Sequence, residues 1–216
     1  MRITVFFSLL FVTSFCIGQE RAEAIVWDGD ILDLKTLTML PMHAEKPEFV
    51  WDLDKLIASP VNHTDIGVDT LEFEKWRLQY RITLHDYFTD DAITGYSIVA
   101  ETMPKPKAGW KYTTEQAKAL GRNMQVIFDD NKLIVAVFSP IASGCDLVCI
   151  NLQTGREIWH AEVEQLLVDH SQYLNNVYLD KFDDKIVLVG NEIGGAYVQI
   201  FDSATGKNLF TRTRSK

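Results

Sequence analysis

Cys145, Cys149 and His160 stand within the stretch "CDLVCINLQTGREIWH". Two cysteines and a downstream histidine have the composition of a redox pair or a zinc site. The same letters also read as a strand, a turn and a second strand. On a strand rising about 3.3 Å per residue, positions 145 and 149 stand roughly 13 Å apart on one face, whereas a disulfide needs Cα atoms within about 7 Å. On a helix the same spacing would bring the two thiols together. Secondary structure therefore decides the chemistry, and the Val- and Ile-rich context favours a strand with both cysteines as packing residues.

The other reactive side chains form no local motif. His43, His63, His85, His160 and His170 are scattered, without a His-Glu-x-x-His pair. His85 beside Asp86 is the most site-like neighbour pair. Acidic residues cluster at Asp28, Asp30 and Asp33, at Asp52 and Asp54, and at Asp90 and Asp91. None has EF-hand spacing, and Asp-Gly or Asp-Asp at a hairpin is explained by turn chemistry. There is no Gly-x-Ser-x-Gly, phosphate loop or dinucleotide fingerprint. These observations assign no catalytic, cofactor-binding or metal-ligating residue, and no cofactor is expected.

A repeat organises the C-terminal half. "LVCINLQTGREIW" lies over "VQIFDSATGKNLF", so that Asn151 meets Asp202, Thr154-Gly155 meets Thr205-Gly206 and Trp159 meets Phe210. In the same register Cys145 and Cys149 fall on Ala196 and Ile200. Upstream, "IFDDNKLIVAV" from Ile127 lies over "KFDDKIVLVG" from Lys181. The unit is about 50 residues long and reads as four strands joined by an Asp-rich turn, a loop and a Thr-Gly turn. Strands such as "LIVAVF" are apolar on both faces, as in sheets packed on both sides. The pattern (D/N)-x-x-T-G-(K/R)-x-x-(W/F) after an apolar strand resembles the repeat of the quinoprotein-type (PQQ-like) β-propellers, over about residues 127–213. The resemblance implies four-stranded blades, each ending in such a turn, with the aromatic packed between neighbouring blades. "VWDLDKLIAS" from Val50 and "DILDLKTLTML" from Asp30 are weaker echoes.

Elsewhere Trp76, Leu78, Tyr80, Ile82 and Leu84 alternate with polar residues through His85, marking a strand with one buried and one wet face. "TDDAITG" reads as a loop before a second strand. Residues 104–121 read as an insertion, with Thr113 and Gln116 as a capping box opening a short helix through Ala119. Residues 161–170 read as a second short helix. The fold expected is all-β, with propeller-like antiparallel four-stranded blades in a small or incomplete propeller plus a short helical insertion. Clear units are expected at about 122–165 and 176–216.

The first 18 residues have the layout of a secretory signal: Arg2, an apolar run from Ile3 to Val12, then small residues at Cys16 and Gly18. A lipid anchor at Cys16 is disfavoured by bulky Phe15. The mature chain, 19–216, is expected to be one exported β-repeat domain, periplasmic or extracellular, without a transmembrane segment. Asn62-His63-Thr64 is a glycosylation sequon relevant only in a eukaryote. Removal of the signal takes one Arg from 21 basic residues and none from 30 acidic ones, leaving a charge of about −10, which disfavours nucleic acid as a partner. A β repeat without a catalytic constellation points to a non-catalytic binding or scaffold protein with a protein partner. An exported hydrolase using acidic residues and an inhibitor or immunity-type protein are the alternatives. Intact mass of exported material is expected to correspond to a chain starting at or near Gln19; retained Met1 would contradict the signal assignment.

Overall fold

In a computed structural model, the described residues are 23–40, 50–53, 69–75, 78–89, 92–103, 107–114, 123–138, 145–163, 176–192 and 195–215. The signal, the sequon, Trp76, Asp54, Asp90, Asp91, His43, His63 and His170 lie outside them. Sixteen strands form four four-stranded sheets. Blade 1 holds β1 (Ala24–Trp27), β2 (Asp30–Asp33), β3 (Met39–Leu40) and β4 (Val50–Asp52). Blade 2 holds β5 (Thr70–Lys75), β6 (Leu78–Thr89), β7 (Ala92–Met103) and β8 (Lys107–Thr114). β9 (Asn123–Asp129), β10 (Lys132–Phe138), β11 (Cys145–Asn151) and β12 (Glu157–Glu162) make blade 3. Blade 4 consists of β13 (Asn176–Phe182), β14 (Lys185–Glu192), β15 (Gly195–Asp202) and β16 (Asn208–Ser215).

Blades 2, 3 and 4 are antiparallel meanders in chain order. Blade 1 departs from this plan, because β4 pairs parallel with β1 in the place that β9 and β13 occupy in their own blades. The echo at Val50 therefore marks a strand, although a parallel one.

Stacking follows from which strand faces are apolar. On β10, Leu133, Val135 and Val137 pack with Ile82, Leu84, Ile98 and Ala100 of blade 2. The alternate residues Ile134, Ala136 and Phe138 pack with Ile186, Leu188 and Phe201 of blade 4. Blade 4 turns Val187, Val189, Val198 and Ile200 towards Ile25, Trp27, Leu32 and Leu34 of blade 1. The packing order is 2-3-4-1. Among the described residues no apolar cluster joins blade 1 to blade 2, and the propeller-like array is not closed.

One joint recurs along the array. In blade 3, Asn151 Oδ1 accepts from the backbone N–H groups of Gln153 and Thr154, and the N–H of Gly155 donates to the Asn151 carbonyl at 2.8 Å. Asp202 holds Ala204, Thr205 and Gly206 in the same way. So does Asp33 with Lys35, Thr36 and Leu37. Gly155, Gly206 and Leu37 all have positive φ, at 69°, 70° and 56°. The Asp30 echo is thus a third copy of the turn, with Leu in the glycine place.

On each of the two glycine turns sits an indole from the preceding blade. A Cβ at Gly206 would come within 2.6 Å of the Trp159 ring, and one at Gly155 within 2.6 Å of Trp110. Trp159 Nε1 donates to the Ser203 carbonyl at 3.2 Å, and Trp110 Nε1 to the equivalent Leu152 carbonyl at 2.6 Å. Trp159 is buried. Phe210, the matching residue of β16, is partly buried and packs, like Leu37, on the cluster shared by blades 4 and 1. Where the facing aromatic is Phe rather than Trp, the turn carries a side chain. The expected interblade role of Trp159 and Phe210 is observed.

Trp110 corrects the reading of 104–121 as a helical insertion. Lys107–Thr114 is the fourth strand of blade 2, and Thr113 pairs with Ser97 within it. The proposed helical remainder, 115–119, lies outside the described residues. Similarly Ala161 and Glu162 belong to β12, not to a helix, and 164–170 lie outside. Ala92–Gly95, read as loop, belongs to β7.

Because the indole and the turn glycine occupy one space, their substitutions should couple. Trp159→Ala is expected to destabilise by about 3–5 kcal/mol, as large aromatics in cores do. Gly206→Ala should be severe with Trp159 present and milder in a Trp159→Phe background, with a coupling of about 0.5–3 kcal/mol. Denaturant melts of the four-member cycle check this, and strict additivity would contradict the joint.

Candidate functional site

β11 brings the cysteines and the one buried acid of the blade 3 core together, on opposite faces. Cys145 and Cys149 are fully buried in the cluster facing blade 4 and are not joined to each other. Burial pushes the Cys149 thiol up to about 12, so it stays protonated at neutral pH among the packing residues around it. Their repeat equivalents, Ala196 and Ile200, are buried as well. His85 and Asp86 do not form a dyad: adjacent residues of β6 point to opposite faces, with His85 exposed opposite Ser97 and Asp86 opposite Tyr96. Asp28 and Gly29 both have positive φ and close the β1–β2 hairpin, while Asp33 caps its own turn. Among the described residues no group of three or more His, Cys, Asp or Glu is arranged to hold a metal ion.

A different cluster gathers where the blade 2–blade 3 interface turns polar. Val148 and Ile150 of β11 pack towards blade 2, and by the two-residue period Asp146 shares their face. Asp146 is buried, with a 3% exposed side chain, and its Oδ1 lies 3.6 Å from His160 Nε2. His160 pairs with Val148 across the ladder, and Glu162 lies opposite Asp146 itself. From blade 2 come Tyr96 and Tyr112, with ring centroids 6.4 Å apart. Tyr112 Oη donates to Glu157 Oε2 of blade 3 at 2.7 Å. Asp86, the cross-strand neighbour of Tyr96, stands on the same side.

The electrostatics follow from burial and from the carboxylates. Asp146 raises the His160 pKa above its usual value as its bonding and ion-pair partner, against an opposing effect of burial; Glu157 and Glu162 add to the rise. Burial, then Asp146, pushes Tyr96 well above the usual phenol range. Tyr112 is raised by burial and by Glu157. A neutral phenol pair therefore faces a carboxylate and an imidazole that favours its charged form. Sequence reasoning missed this cluster; its only signal was an Asp inside the otherwise apolar "CDLVCI".

A second surface is the opposite face of blade 2. Glu72, Glu74, Gln79 and His85 are exposed there, with Lys111 on the same side. Arg81 donates from Nε and Nη2 to Glu72 Oε1 at 2.8 and 2.6 Å. This is the wet face expected from the alternation at 78–85. Comparison of the chain with protein-family models and with curated proteins finds no match in either. No helix among the described residues is long and apolar enough to cross a membrane.

His160 sets a pH dependence of stability. A histidine whose folded pKa is raised binds its proton more tightly in the folded state, so its contribution is complete below about pH 6.5 and is lost as pH rises through the raised folded value. The melting temperature of wild type relative to His160→Gln should therefore fall between pH 6 and pH 8.5. A parallel pair of pH profiles would contradict the Asp146 partnership.

Proposed function

We propose that the chain is an exported, non-catalytic binding or scaffold protein that meets a protein partner on the charged face of blade 2 that carries Glu72, Arg81 and His85. The observation that carries this reading is the difference between β6 and the strands of the inner blades. β10 and β14 bury apolar residues on both faces, whereas the outer face of β5 and β6 carries Glu72, Glu74, Gln79, Arg81 and His85. A charged sheet face on a stacked scaffold offers positioned groups at little ordering cost. The acidic composition disfavours nucleic acid. The likeness of its repeat to quinoprotein-type blades enters as scaffold only, with no quinone in the reading.

The test uses a charge swap that preserves the surface ion pair. Glu72→Arg combined with Arg81→Glu keeps the pair and should change stability by no more than about 0.5 kcal/mol. Affinity for a partner purified with the wild-type chain from the exported fraction should fall at least about tenfold, as misplaced rim charges slow association and repel. Unchanged affinity of the swapped variant, or substrate turnover by the wild-type chain, would overturn the reading.

A further inference from the structure

The polar end of the blade 2–blade 3 interface holds more hydrogen-bonding capacity than the described residues use. Tyr96 is fully buried and its hydroxyl has no partner. Asp146 is 2% exposed, and its Oδ2 has none either. Oδ1 of Asp86, beside Tyr96 in the ladder, is a third such atom. Buried polar atoms are nearly always satisfied, and an orphan at a blade interface calls for a physical reason. Tyr96 packs in one cluster with Val148, which shares the face of Asp146, and Tyr112, 6.4 Å from Tyr96 between ring centroids, bonds Glu157 of blade 3, so the phenol and the carboxylate approach one region from opposite blades.

The chemistry of these atoms selects their ligand. Two are carboxylate oxygens, which only accept, and the third is a phenol, which accepts or donates. A neutral donor would satisfy the bonds and leave the buried negative charge uncompensated, which is costly. The described residues form no three-ligand group for a metal ion. We propose that Tyr96, Asp86 and Asp146, with His160 at the rim, form a binding site for one organic cation, an ammonium or guanidinium group. Such groups carry several N–H donors and a full charge, and so meet both demands at once.

His160 makes the site proton-linked. It is the more open member of its pair, 27% exposed against 3% for Asp146, and when protonated it neutralises the same carboxylate that the cation needs. Proton and cation compete. The other ionisable groups facing this region are Glu157 and Glu162 of β12 and Tyr112 of β8; Cys145, next to Asp146 in sequence, lies on the other face of β11. Glu157 and Glu162 add to the rise that Asp146 gives the His160 pKa, and the two phenols stay neutral through the range in which His160 titrates. Deprotonation of His160 leaves Asp146 uncompensated, and the cation takes its place.

The test is titration of the full chain with methylguanidine and methylammonium, followed by NMR of the Tyr96 ring and the His160 imidazole, with N-methylurea as the neutral control. Saturable shifts are expected at pH 8.5 with one or both cations, and about tenfold weaker binding for each pH unit below the His160 titration. N-methylurea should do nothing. Asp146→Asn should abolish the effect; should that variant fail to fold, His160→Gln serves instead and is expected to bind with no pH dependence between 6 and 8.5. An equal response to N-methylurea, saturation of the same signals by sodium or calcium alone, linear shifts without saturation, or pH-dependent binding retained in His160→Gln would each overturn the proposal. The site lies on the opposite side of blade 2 from Glu72 and Arg81, so partner capture and cation binding fail separately.

Discussion

An indole lying on a glycine is the contact on which this array depends. A sheet that is apolar on both faces has to be covered twice, but apolar contact is non-directional and sets no register between blades. The direction comes from Trp110 and Trp159. Each ring fills the space that a side chain at Gly155 or Gly206 would need, and each indole N–H bonds the carbonyl of the turn residue three positions earlier. The neighbouring ladder accommodates this with a recurring irregularity. Register shifts occur at Ala100/Glu101, Cys149/Ile150 and Ile200/Phe201, opposite Trp110, Trp159 and Phe210. A bulge bends its strand and re-aims a side chain. The exposure of Ile158 and Leu209, the residues immediately before two of the aromatics, belongs to the same device.

The ends of the array are managed by other means. Blade 2 turns a charged face outward, whose ion pair between Arg81 and Glu72 is exposed and of the kind that contributes little stability. Blade 1 is fastened to the last strand of the chain: Arg212 meets Asp30 at 2.6 Å, Arg214 meets Asp28 at 3.1 Å, and the Arg214 guanidinium lies 5.3 Å from the centre of the Trp27 ring. First and last sheets are therefore neighbours, although among the described residues no apolar cluster closes the array between blades 1 and 2. The edge strands β9 and β13 of blades 3 and 4 are tied by Lys181 to Asp129 at 2.5 Å.

Much of this was legible in the sequence, for identifiable reasons. The Thr-Gly turns repeat because only a narrow choice of residues caps and reverses that turn, so Asn151 and Asp202 could be aligned by eye. Two-faced apolar runs against a strict alternation separated inner blades from the end blade. Blade 2's fourth strand was hidden because Pro104, Pro106 and Gly109 mimic a loop and Thr113 mimics a helix cap; pairing with β7 overrides both local signals. Blade 1's turn was half-hidden because Leu37 occupies a left-handed position usually given to glycine. The echo at Val50 marked β4, but its parallel pairing with β1 had no local signal. Tyr96 and Asp146 are 50 residues apart and come to one blade interface only through stacking, which no spacing rule reports.

The polar cluster and the Trp110 joint share the blade 2–blade 3 interface, so its rigidity decides whether Tyr96 and Asp146 hold their places, and the Trp159 joint fixes the other side of blade 3. Native-state hydrogen exchange at the indole N–H groups of Trp110 and Trp159 reads those joints directly. If the rings sit on the turns as described, both protons exchange only through opening of the blade interfaces, orders of magnitude more slowly than a free indole. Exchange of either proton at the rate of a solvent-exposed tryptophan would contradict the account.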